Sequence, residues 1–300
     1  MKHHPIDKLN RTVKSYNDLQ NVLLAESWNS QLQRFRSNYV FRGMANSGWD
    51  LQTSLIRLGG DYARLERPLL RSFRKYAQRD AAAGDSVWNW LSLGQHHGLP
   101  TRILDWTFSP YVAMHFATDD IAQMNADGVI WCVNFVESTK YLPKKLLAVL
   151  ELEWANSFTV EMLNTAASTL EAFDGLNREE FLVFFEPPSI DGRIVNQYAL
   201  FSVMSSPTTR LDFWLSSRPK LARRIIIPAS LKWEIRDKLD QANITERMLF
   251  PGLDGLSRWL KRHYSPGPKS TKTAVPRPAL TPATRARAKP APPVRSANPK

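Results

Sequence analysis

The sequence has a single cysteine, Cys132, so no disulfide can close within the chain and no zinc site can be built from cysteines. No stretch approaches the roughly 18 unbroken apolar residues that a membrane-spanning helix needs. The first residues, MKHHPIDKLNR, lack the apolar core of a secretory signal. These absences set the expectation of a cytoplasmic protein with no membrane partner. Acid is also missing from one region: Gly267 to Lys300 holds eight Lys or Arg and no Asp or Glu. The formal charge of +12 therefore leaves only +4 on residues 1–266.

The same terminal stretch has no aromatic residue and is rich in proline. Proline removes backbone donors, and little apolar surface is left to offset ordering entropy. Residues 265–300 are expected to form a disordered basic Pro/Ala-rich tail. Within it, 267–300 can attract a nucleotide or nucleic acid by charge alone, or serve only as a solubilising linker.

What is present is ample material for a core: 43% hydrophobic residues, 11% of the chain aromatic. Ser15 is placed to cap a helix carrying Leu19, Val22 and Leu23. DYARLERPLLRSFRKYAQRD sets Leu65, Leu69, Leu70 and Phe73 on one helical face, with Pro68 as a kink or a second start. SVWNWLSLGQHHG predicts a buried helix closed by Gly98, and SPYVAMHFA a short helix begun by Ser109-Pro110. NYVFRG, GVIWCVNF, FLVFFEP, NQYALFSVM and RRIIIP predict strands, and the last of the chain's amphipathic helices follow in SLKWEIRDKLDQA and GLDGLSRWLKRHY. Cys132 falls inside an apolar strand as a small buried hydrophobe. Strands and helices alternate without a βαβ rhythm, so the fold class is α+β: a single mixed domain with short strands interleaved irregularly with helices. The expected boundaries are an N-terminal arm over 1–14, the domain over 15–264, and the tail over 265–300.

Two constellations carry chemistry. In Phe41-Arg42-Gly43, an arginine ends an apolar strand, where its guanidinium needs a partner. Gly43 leaves room for a ligand or another backbone. An anion bound through the planar fork and an internal pair with Asp105 are both open readings. The second constellation runs Gly94-Gln95-His96-His97-Gly98-Leu99-Pro100-Thr101-Arg102-Ile103-Leu104-Asp105-Trp106-Thr107. Arg42, Thr101, Asp105 and Thr107 are expected to share one polar pocket, walled by Trp106 or Phe41. His96 and His97 have no acid at helical spacing to complete a metal site, so no metal is expected.

YVFRG, followed by LGQHHGLPTRILDWTFSPYVAMHFA, resembles the FRG domain, a bacterial and phage family named for its Phe/Tyr-Arg-Gly motif. The resemblance extends through NQYALF and LFPGLDGL, over roughly residues 20–262. A second resemblance is to ADP-ribosyltransferases of the Arg…Ser-Thr-Ser…Glu type. It implies that Arg42 and Gly43 hold dinucleotide phosphates, with NAD as substrate and the protein a toxin or phage-defence effector. Asp105-Trp106-Thr107 stands where Ser-Thr-Ser falls, and Gln197-Tyr198-Ala199 stands where a Gln-x-Glu pattern falls. Ala199 supplies no carboxylate, leaving Asp105, Glu186 or Glu246 to serve. The implied sites are Asp105 as the catalytic candidate and Arg42, Gly43, Thr101, Arg102, Trp106, Thr107 and Gln197 as ligand-binding residues. The alternative is a non-catalytic module for nucleic acid or protein, with the tail adding electrostatic affinity.

Overall fold

The computed structural model describes residues 6–79 and 84–267. Among the described residues nine strands form: β1 (Asn10–Thr12), β2 (Trp28–Asn29), β3 (Arg34–Phe35), β4 (Tyr39–Met44), β5 (Ile103–Thr107), β6 (Gly128–Asn134), β7 (Leu182–Phe185), β8 (Ala199–Met204) and β9 (Ala222–Ile227). Seven join one mixed sheet in the order β1-β9-β6-β4-β5-β8-β7, and β2 and β3 make a separate antiparallel pair. Among the paired strands described, β1 runs parallel to β9 and the other pairs are antiparallel. Helices cover the sheet on both faces, which is why β6 and β7 read as continuous apolar runs rather than alternating ones.

Alternation along each strand sorts side chains between cores. Val40, Leu104, Trp106, Val129, Trp131, Leu182, Phe184 and Leu200 belong to one core that runs the width of the sheet. The other face carries two separate cores. One gathers Phe41, Ile130, Cys132, Ile225 and Ile227 beneath the helices Tyr16–Leu24, Pro110–Phe116 and Ala229–Gln241. The second gathers Ile103, Phe185, Phe201 and Val203 with the helix Val87–His96. The divide between them falls where β4 meets β5.

That meeting is thin. β4 pairs with β6 over its whole length, and β5 with β8 over its whole length, but β4 and β5 share one bridge, Phe41 to Thr107. Beyond it the two strands part, and the gap opens the sheet beside Arg42.

The predicted α+β class holds, as do the caps. Ser15 and Ser109 accept from the N–H groups of Asp18 and Val112, and Gly98 takes φ +80° to end Val87–His96. Three local expectations need correcting. Residues 10–12 are not part of a free arm but the edge strand paired with Arg224–Ile226. Tyr62–Ala77 is one helix with Pro68 inside it, so Pro68 does not begin a second helix. It buries Glu66 and Leu70 while Leu65 is exposed, so its inner face is turned from the expected one. Of the disordered basic tail expected over 265–300, residues 268–300 lie outside the described residues. Among the described residues no helix is long and apolar enough to cross a membrane.

Candidate functional site

Arg42 projects from the last apolar pairs of β4 into the gap between the strands. Its Nη1 donates to the backbone oxygen of Asp105 at 2.5 Å and stands 3.9 Å from the Asp105 carboxylate. It occupies the place that a β4 ladder partner would take on β5. Only 22% of the Arg42 side chain is exposed, against 55% for Asp105, so the two do not form a closed buried pair. Burial pulls the guanidinium down from its ordinary value, and Asp105 opposes that pull. The Nε of Arg42 is buried and has no hydrogen-bond partner.

A cavity of about 190 Å³ opens here, lined among others by Arg42, Gly43, His96, Asp105, Thr107, Arg193, Gln197 and Ala199. Phe116, Ile194 and Phe201 supply apolar wall. A second cavity of about 760 Å³ also touches Arg42, Gly43 and Phe116, on the side of residues 44–57. Arg42 therefore borders both.

Several predicted residues sit here for reasons other than ligand contact. Gly43 is glycine because a Cβ would overlap the backbone of Ala113 and Ala117, so the close approach is that of the helix Pro110–Phe116. The Thr107 hydroxyl donates to the Gln197 oxygen at 2.7 Å and accepts from Ser109 N at 3.0 Å. Gln197 lines the cavity while its Nε2 donates to the Leu249 oxygen at 3.0 Å.

The structure corrects three of the expected ligand contacts: Trp106, Thr101 and Arg102. Trp106 borders the cavity, but its ring turns to the opposite sheet face. There it packs 5.7 Å from Phe184, and its Nε1 donates to Ser202 Oγ at 2.8 Å. It offers no free face for stacking. Phe41, the other expected wall, does line the cavity, from a fully buried position beneath a helix. Thr101 does not line the cavity. Its hydroxyl donates to Gln95 Oε1 at 2.5 Å, and Gln95 Nε2 donates to Asp105 Oδ2 at 2.8 Å, so it positions Asp105 through an intermediate. Arg102 is elsewhere: its fork grips Glu66 and Asp174, with Nε to Glu66 Oε1 at 2.7 Å and Nη1 to Asp174 Oδ1 at 2.5 Å. Burial would lower this guanidinium, but the two carboxylates more than offset it and raise it.

The match to a known family fits this geometry. The FRG domain family model covers residues 37–126. Residues 37–126 carry an FRG domain. No curated protein and no solved structure matches the chain. The matched stretch is shorter than the resemblance suggested, and it begins just before β4 and ends just before β6. Arg42, His96, Asp105 and Thr107 all lie inside it, so the two strands that part and the helices flanking the gap are the FRG domain's own. Arg193, Gln197 and Ala199 reach the cavity from outside the matched stretch.

Two residues that the sequence did not mark as ligand contacts, His96 and Arg193, also line the cavity. His96 Nε2 lies 2.7 Å from Asp191 Oδ2, and Asp191 also caps the helix Gly192–Asn196. Arg193, in the first turn of that helix, sets its guanidinium 5.1 Å from the Phe250 ring. Asp-Gly-Arg at 191–193 is a legible helix start, but nothing local ties it to His96. Of the three carboxylates considered in place of a glutamate at 199, Asp105 lines the cavity, whereas Glu186 accepts from Ser157 Oγ at 2.8 Å and Glu246 is buried against Arg262 at 2.5 Å, neither of them in the cavity lining. Burial would raise the Glu246 carboxyl, but Arg262 holds it down at about 2. Among the described residues no three His, Cys, Asp or Glu groups gather to hold a metal ion.

Proposed function

We propose that the FRG cavity binds a phosphate-bearing ligand, with Arg42 as its anchor and Arg193 as a second cation on the rim. The observation that carries this reading is the unfilled guanidinium. Arg42 is mostly buried, spends one nitrogen on a backbone oxygen, and has a buried Nε with no partner. A buried donor without an acceptor is costly, and an oxyanion held by the planar fork removes that cost. Phe116, Ile194 and Phe201 give the same space apolar walls, beside which the charge attraction is less screened than in open water.

The test is binding of inorganic pyrophosphate by calorimetry. Arg42→Ala is expected to lose at least about tenfold in affinity, and Arg42→Lys, a point charge without the fork, to recover only part. Unchanged affinity in Arg42→Ala would sink this reading.

A second reading, transfer of ADP-ribose from NAD, is favoured by one observation: Asp105 is a carboxylate lining the same cavity as Arg42. A carboxylate there would stabilise positive charge developing on a ribose. Nicotinamide release from NAD by the purified chain, abolished in Asp105→Asn, would support it; no release across a range of protein and nucleic-acid acceptors would end it.

A further inference from the structure

The larger cavity has walls that phosphate binding leaves unused. Trp49 presents a ring that is 46% exposed, and Asp50, Asp119 and Asp120 line the space with Arg57. Two of these carboxylates are already occupied. Asp50 pairs with Arg210 at 2.9 Å and accepts from Gln52, while Asp120 accepts from Ala122 N at 2.9 Å. Asp119 is half-buried, and beyond its own backbone N–H it has no donor among the described residues. Burial pushes its carboxyl up to about 6. Arg236 opposes the rise, Asp120 and Glu246 add to it, and Lys232 also faces it.

The wall that carries Trp49 is fixed before any ligand arrives. The buried Lys232 donates to the Ala45 oxygen at 2.6 Å and the Gln123 oxygen at 2.8 Å. Asn46 Nδ2 donates to Gln123 Oε1 at 2.9 Å. An accessible aromatic face, an unfilled acceptor and an arginine shared with the phosphate cavity match the parts of one chemical class. A flat base stacks on the ring, and sugar hydroxyls donate to the carboxylate.

We propose that this cavity holds the nucleoside half of a nucleotide whose phosphate lies at Arg42, with the base against Trp49 and ribose hydroxyls donating to Asp119. The proposal rests on the reading of Arg42 as the phosphate anchor, and the experiment separates the two. Calorimetry with the full chain compares ADP and UDP with inorganic pyrophosphate near pH 7.5 and near pH 5. At the higher pH both nucleotides are expected to bind at least about tenfold tighter than pyrophosphate. Asp119→Asn and, separately, Trp49→Leu should each reduce that ratio by about tenfold while leaving pyrophosphate binding unchanged. Acidification protonates Asp119, so the wild-type ratio should also fall near pH 5 and the Asp119→Asn ratio should not.

Nucleotides that bind no more tightly than pyrophosphate, or a ratio that neither variant changes, would overturn this proposal. The phosphate reading would then still stand on the pyrophosphate result. Failure of all three probes to bind would remove both.

Discussion

Arg42 and Arg102 both stand among apolar residues at the border of β4 or β5, and the fold treats them in opposite ways. Arg102 is 4% exposed and fully saturated: two carboxylates from distant helices close around its fork. Arg42 is left with one backbone oxygen, a half-exposed acid at 3.9 Å and an empty Nε. The first arrangement ties the helix Tyr62–Ala77 and Asp174 to the start of β5. The second keeps a charge in reserve at a gap in the sheet. A buried cation is structural when its fork is filled from within, and it is available to a ligand when the fold leaves the fork open.

The comparison breaks most visibly by removing one partner. Glu66→Ala leaves the Arg102 guanidinium buried with one side open and should cost about 3–5 kcal/mol in chemical denaturation. Asp105→Ala removes an exposed partner of Arg42 and should cost no more than about 1 kcal/mol in the same measurement. Comparable losses at the two positions would erase the distinction.

A second, more graded effect comes from acid. His115 is buried, and Arg236 donates to its Nδ1 at 2.9 Å, so the ring is neutral with its proton on Nε2. Burial, with Arg236 adding, pushes it down to about 3. The unfolded chain takes up this proton near pH 6.5 and the folded chain does not. Stability from this group is therefore complete above about pH 6.5 and declines by up to about 1.4 kcal/mol per pH unit toward pH 3. His115→Gln keeps an acceptor for Arg236 without the titration, and a denaturant midpoint that falls less steeply with acid is the expected result. Asp119, pushed up rather than down, works in the opposite sense between about pH 6 and 4. The difference between the wild-type and His115→Gln slopes isolates the histidine.

The smallest effect sharpens the same contrast. Arg42→Ala should change the melting temperature by only a few degrees, because little of the fold is fastened to its guanidinium. A collapse comparable to Glu66→Ala would place Arg42 with Arg102.

Much of the frame was readable in the sequence. Apolar runs located the long central strands, and Ser15, Ser109-Pro110 and Gly98 marked helix ends because capping chemistry is local. The approach of Arg42 to Asp105 was also foreseeable, since a charge ending an apolar strand needs a nearby acceptor. The role of Arg102 was not legible, because its partners sit on separate helices and one of them, Glu66, lies on a helix whose inner face was misphased by Leu65 and Leu69. Trp106 was misread for a related reason. Its neighbour Asp105 faces the cavity, and strand alternation sends the next side chain to the other face. Arg193 and Asp119 carried no local signal at all, since each gains its meaning from elements far away in the chain.

Cys132 sits in β6, fully buried between β4 and β9, and burial pushes its thiol up to about 12. In a chain with a single sulfhydryl, every molecule tagged by an alkylating reagent reports the same event, the parting of the central strands. The protein therefore contains its own clock for global opening, and ligands that engage the folded state should slow it in proportion to how tightly they bind.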